Sequence, residues 1–351
     1  MIKKLLFASL LLMTAGANAQ TEVSSYQPGI TEDGVTYCLP KTTLKVKIIA
    51  TKSVYKPGDF CMYAEKYLRL TNIPSESQTT WKIKSVMVYP ESDPDKSKMY
   101  SIKLKKKTVA PQVALTKDGI LLAIHTNAPV EKPEPTDPQD SIVKPLNPRD
   151  YMSEDILAAG STAKMAELVA QDIYNIRESR NDLTRGKADT MPTDGEQLRL
   201  MLKHLDDQEV ALTQLFKGTT TTSTQVFTLM VKPAGELKKH ILFRFSKRLG
   251  AVANNDLAGA PVYIDITDLK TVDEPVPVTK KKKEKENGVY YNVPGKGSVR
   301  IYTPEKELYK GTESFSQFGN TEVLSNELFN KDANVKVQFY RTNGGIQKIS
   351  E

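Results

Sequence analysis

Between residues 161 and 218 the apolar residues recur at three- and four-residue steps, whereas on either side they alternate with polar ones. Met165, Val169, Ile173, Ile176 and Leu183, broadened by Leu168, make one stripe; Leu198, Met201, Leu202, Leu205, Leu212, Leu215 and Phe216 make a second. In "PTDGEQ", Thr193 or Asp194 is placed to cap the second helix, with Gln197 completing a box behind Asp194; Gly218 stops it. A lone helix cannot bury such a stripe. The two are therefore expected to form an antiparallel hairpin packed on a sheet or a partner.

The flanking regions read as strands. "TLKVKIIATKSVY" puts Leu44, Val46 and Ile48 on one face and Lys45 and Lys47 on the other. The chain turns at Lys56–Asp59, where Asp59 is placed to cap a short helix, "FCMYAEKYL". "WKIKSVMVY" and "MYSIKLK" read as two strands around the loop "PESDPDKSK", and Asp118-Gly119 joins "QVAL" to "ILLAI" as a hairpin. After Thr219 come "TQVFTLMV", "HILFRFS", "PVYIDIT", "GVYYNV", "SVRIYT" and "VKVQFY", with a final hairpin at Asn343-Gly344-Gly345. "PGKGSV" reads as a turn, since it lacks the phosphate-loop spacing. The fold class is α+β: two β-rich, sandwich-like regions, residues 20–126 and 219–351, with an intervening antiparallel helical hairpin at 161–218. Residues 127–160 form a proline-rich linker or a long surface crossing, with prolines at 129, 133, 135, 138, 145 and 148. Five lysines between residues 280 and 286 read as a solvated loop.

"MIKKLLFASLLLMTAGANAQ" has a basic start, an apolar run of about a dozen residues and the pattern Ala17-Asn18-Ala19. That is the form of a signal peptide over residues 1–19, and the run is shorter than the ~20 residues a membrane-spanning helix needs. No cysteine follows the cleavage point and no later run approaches a membrane span. The expectation is an exported protein, periplasmic or outer-membrane-associated, and not a lipoprotein. The formal charge of +7 falls by two once Lys3 and Lys4 are lost, and charges of both signs are interspersed, so nucleic acid is excluded as a partner. The two cysteines, Cys38 and Cys61, are expected in an oxidising compartment as a disulfide, or alternatively as two buried thiols.

Reactive constellations are sparse. His125, His204 and His240 have no ligand-spaced neighbours, no Gly-x-Ser-x-Gly is present, and no metal or cofactor is expected. Carboxylates cluster at Asp206, Asp207 and Glu209 and at Asp265 and Asp268, the spacing of solvated faces as much as of acid–base pairs. Tyr290, Tyr291, Tyr302, Tyr309, Phe315 and Phe318 make the C-terminal region the best place for a groove, unless they simply fill a core. Residues 173–198 crowd three arginines, Arg177, Arg180 and Arg185, among acidic residues. Helical phase puts Arg180 on the apolar face of Ile173, Ile176 and Leu183, with Arg177 beside it. In a hairpin turning near residue 189, Arg180 is expected to pair with Asp194 or Glu196, making Arg177, Arg180, Asp194 and Glu196 a structural or interface cluster.

Three stretches carry a resemblance: "YCLPKTTLKVKI" with "DFCMYAEKYLRL", "MAELVAQDIYNIRESRNDL" with "DGEQLRLMLKHLDDQEVALTQLFKG", and "SFSQFGNTEVL". Together they resemble the exported bacterial family catalogued as domain of unknown function 4831, over nearly the whole chain after residue 20. The resemblance implies a Gram-negative envelope protein and brings no activity or catalytic residue. The expected role is non-enzymatic, structural or in protein interaction, with another envelope protein as partner. The alternative is a glycan- or peptide-binding module, and a third is a hydrolase using dispersed carboxylates.

Overall fold

The computed structural model describes residues 30–31, 34–103, 113–131, 133–138, 145–273, 288–325 and 335–350. Residues 1–19, expected to be a signal peptide, and the lysine run lie outside them. Three antiparallel sheets and a helical hairpin make up the fold. The first half supplies β1 (Ile30–Thr31), β2 (Gly34–Lys56), α1 (Ala64–Leu68), β3 (Gln78–Lys103), β4 (Val113–Leu115), β5 (Leu121–Ile124) and α2 (Glu154–Leu157). The hairpin is α3 (Thr162–Arg185) and α4 (Gly195–Lys217). Then follow β6 (Thr219–Val231), β7 (Leu237–Ser246), β8 (Gly250–Val252), β9 (Ala260–Asp268), β10 (Gly288–Tyr302), β11 (Glu307–Ser325), β12 (Lys336–Phe339) and β13 (Ile346–Ser350). No described helix is long and apolar enough to cross a membrane.

The two β-rich regions share sheets. β2 pairs with β3 on one side and, from Leu44 to Lys56, with β6 on the other, so a strand beyond the hairpin completes the first sheet. β10 and β11 head a second sheet with β9, β7 and β8. The third sheet joins β4 and β5 to β12 and β13 from the far end of the chain. Leu44, Val46 and Ile48 face Val262, Ile264, Ile266, Val299, Ile301 and Phe315 across the first two sheets, as the alternation in β2 requires. Each such buried side chain contributes roughly 1.5–3 kcal/mol. Tyr37 and Leu39, at the start of the same strand, enter a second core with Leu121, Ile124, Val337 and Phe339. Phe60, just past its end, enters a third with Ile173, Leu212 and Phe216. One 23-residue strand thus contributes to two cores and leads directly into the third.

Several turns fall elsewhere than the sequence suggests. "PESDPDKSK" is not a loop: β3 is continuous and only Lys96–Lys98 are extruded, where Cys38 pairs with Met99 and Leu39 with Asp95. "PGKGSV" is not a turn either, because β10 continues through it, with a register shift against β11 between Val293 and Gly295. A Cβ on Gly297 would lie 2.7 Å from the Phe318 ring, so glycine is there to admit an aromatic side chain. Asp59 does not cap; a 3-10 turn at Cys61–Tyr63 begins after Phe60 instead and leads into α1. Ser161 and Asp194 do cap, each accepting from the backbone N–H three residues on.

The cysteines are free thiols. Cys38 lies near the start of β2, fully buried, and Cys61 lies beyond its other end. The intervening strand spans on the order of 60 Å at ~3.3 Å per residue, against the 7 Å limit for a bridgeable pair.

The proline segment crosses the outer face of the first sheet and is pinned there. Arg341 holds both oxygens of Glu131, at 2.8 and 2.9 Å. Lys45 pairs with Glu134 and Glu91, and Lys47 with Asp137 at 2.9 Å and Glu134 at 3.2 Å. The lysines that alternation places opposite the core therefore meet an acidic strap rather than open water.

Candidate functional site

The end of α4 is held by the turn that closes β2. The Phe60 N–H donates to the Leu215 carbonyl at 2.7 Å, satisfying one acceptor that a helix end leaves over. Gly58 fits against the same carbonyl, where a Cβ would lie 2.1 Å away. The Tyr55 hydroxyl donates to the Pro74 carbonyl at 2.9 Å and lies 3.2 Å from that of Lys217. Burial raises its pKa. Gly218 then lets the chain reverse with φ near +78°, and β6 starts directly beside the end of β2.

This junction opens into a groove of about 820 Å³. One wall is the face of α4 carrying Val210, Thr213, Gln214 and Lys217, spaced at helical steps. The other is β6, where Thr219, Thr220, Thr221 and Thr222 all contribute. Side chains on a strand alternate between faces, so a cavity lined by four consecutive residues looks onto the strand's edge. Tyr55 and Pro145 complete the lining, and Arg177 with Glu209 form the rim. Val210 is 52% exposed, and the Thr213 hydroxyl has no partner among the described residues although the atom is buried.

The rim belongs to an ion-pair network inside the hairpin. Arg177 donates to Glu209 at 2.6 Å, and Arg180 reaches Asp206 at 2.9 Å and Glu209 at 2.6 Å. Asp206 foremost, with Glu209, holds the Arg180 guanidinium pKa above its ordinary value. Arg180 does face its own hairpin, but the expected partners are wrong. Asp194 is spent as the cap, accepting from Gln197 N–H at 2.8 Å, and Glu196 pairs with Arg199. The pairs at 177/209 and 180/206 fix the stagger. Arg185, the last residue of α3, lies level with about residue 201, so the first turns of α4 overhang by roughly 9 Å at 1.5 Å per residue. Leu200, within that overhang, and Met201, at its edge, are exposed, at 55% and 39%.

The other candidates do not converge. His204 lies near Tyr151, His240 lies within β7, and the His125 ring lies 3.1 Å from the Val335 carbonyl. Asp265 accepts from the Lys239 N–H, and Asp268 pairs with Lys270. Phe315 is core, Tyr290 stacks on Tyr100, and Tyr302 packs on Tyr263, so the C-terminal aromatics line no common groove. Sequence reasoning missed the groove because its walls come from opposite sides of the hairpin junction. The available signal was β6 itself, "TTTTSTQVFTLMV", a strand without one charge or proline.

No curated protein and no solved structure matches the chain. A family match spans residues 33–347, nearly all of the described fold. The chain belongs to the family described as Domain of unknown function (DUF4831).

Proposed function

We propose that the protein is a non-enzymatic component of the cell envelope, exported to the periplasm or the outer membrane, with a structural or protein-interaction role. The observation that carries this reading is the staggered hairpin. Its first α4 turns present Leu200 and Met201 to solvent, where burial against a partner returns the hydrophobic free energy the fold forgoes. Another envelope protein is the partner this surface suits. A role for Asp206 and Glu209 as hydrolytic carboxylates is disfavoured, because arginines already engage both. A glycan- or peptide-binding module is the second reading, drawn from the hydroxyl-lined groove beside the hairpin.

The test is site-specific photo-crosslinking in intact cells from position 200, compared with the exposed position 254 in the turn between β8 and β9. A discrete adduct from position 200 alone is the expected result. Equal, diffuse labelling at both positions overturns the interaction reading, and recovery of the protein in the cytoplasmic fraction overturns the location.

A further inference from the structure

Open strand edges are templates for aggregation, and folded proteins guard them with lysine, proline or bulges. Besides the two-residue β1, the first sheet has two outer strands, and they differ in this respect. β3 carries Pro90 and Pro94, Lys82, Lys84, Lys96 and Lys98, and two register shifts against β2. β6 carries none of these. Its 13 residues pair with β2 without a shift and include no charge or proline, and Thr219–Thr222 have no second strand neighbour among the described residues. At Thr219–Thr222 this unguarded edge lines the groove described above, with α4 standing opposite as a wall.

We propose that the groove between β6 and α4 binds an extended peptide segment of a partner protein by strand addition along Thr219–Thr222. This deepens the interaction reading and rests on it. Main-chain hydrogen bonds to a sheet edge supply affinity, and pockets for alternate side chains supply selectivity. The volume of about 820 Å³ lies within the ~300–1,000 Å³ range of ligand pockets, room for a few peptide side chains. Along the α4 wall, exposed Val210 suits a β-branched apolar side chain. Lys217, one helical step pair further on, has no carboxylate partner among the described residues and suits an acidic one. The rim arginine is neutralised by Glu209, so the ligand is a mostly uncharged strand with one acidic residue. A second copy of this chain would bring its own α4 to the same place, since Gly218 alone separates that helix from β6. A short segment avoids that crowding.

The probe is a library of random seven-residue peptides displayed on phage, panned against the full chain, with enriched sequences synthesised and titrated by fluorescence anisotropy. The expected consensus is uncharged and β-branched with one Asp or Glu. Lys217→Glu should weaken it by roughly five- to tenfold, the scale of one exposed ion pair and its reversal. Val210→Arg, at a solvent-exposed helix position, should abolish it while leaving the thermal midpoint in place. N-methylation of alternate peptide amides should also abolish binding, because strand addition needs those N–H donors.

Three outcomes overturn the inference: no enriched sequence, N-methylated peptides that bind as well as the parent, or binding indifferent to Val210→Arg. Concentration-dependent dimers that Val210→Arg dissolves would also overturn it, in favour of self-association. Crosslinking from position 200 reports separately, so an adduct there without peptide binding leaves the interaction reading intact and removes only strand addition.

Discussion

Arg180 on α3 and Glu209 on α4 meet at 2.6 Å inside the hairpin seam, each where its own helix's stripe would place an apolar residue. A charged layer between apolar ones restricts the stagger to registers that keep both arginines beside Asp206 and Glu209.

Arg180→Ala should destabilise the protein by about 1–2 kcal/mol, between the values for exposed and fully buried pairs, because side-chain exposures here are 33% and 17%. Replacing Arg180 and Glu209 together by leucine should recover most of that loss. Urea titrations of the wild type, Arg180→Leu, Glu209→Leu and the double variant measure the coupling, and additive losses would show the pair to be energetically silent.

Gln317 ties β11 to β2 and to the connection that follows β6. Its amide N–H donates to the Thr42 carbonyl at 2.7 Å and the Pro233 carbonyl at 2.9 Å, and its oxygen accepts from the Thr42 N–H at 3.1 Å. Leucine at this position leaves backbone groups without partners in a largely dry place. A cost of about 2–4 kcal/mol is expected, read as a lower urea midpoint at unchanged slope.

The acidic strap should release in acid. Hydrogen bonds from Lys45 and Lys47 hold the Glu134 carboxyl below its ordinary pKa. Its stabilisation is therefore complete above the unfolded value of roughly 4.3 and is lost as the pH falls through the lower folded value. The lysines, raised by the same contacts, lose their share only as the pH rises through their folded values, above the ordinary lysine range. Amide exchange across residues 133–138, corrected for intrinsic rates, should accelerate below about pH 4 and in high salt while β2 stays protected. Simultaneous exposure of β2 would show that the strap does not move independently.

Maleimide should label Cys61 in the native protein and Cys38 only after unfolding, since Cys38 is fully buried and its thiol pKa is pushed up by desolvation. Mass spectrometry of the labelled chain counts the adducts. A thermal midpoint that falls on adding reductant would overturn the free-thiol assignment.

Local periodicity made some of this architecture legible. The stripes of α3 and α4, the Asp194 cap and the face of Leu44, Val46 and Ile48 are one-element properties, written at spacings of two, three or four residues. Arg180 was visible as out of place for the same reason. Its partners were not, because the stagger depends on a connection whose length sets no register. The pairing of β2 with β6 joins Leu44 to Val231 across most of the chain, and no local pattern encodes it. Glycines misled where ring packing, as at Gly297, imitates the composition of a turn.

The sharing of sheets between the two ends of the chain has a consequence for synthesis. As the chain emerges from the ribosome, β2 can zip to β3, yet its other edge stays bare until some 160 further residues have appeared and β6 arrives. β5 waits longer still, for β12. Premature termination anywhere before the last strands would leave an incomplete sheet rather than a smaller folded unit, and the nascent polypeptide depends on being kept from its neighbours until it is whole.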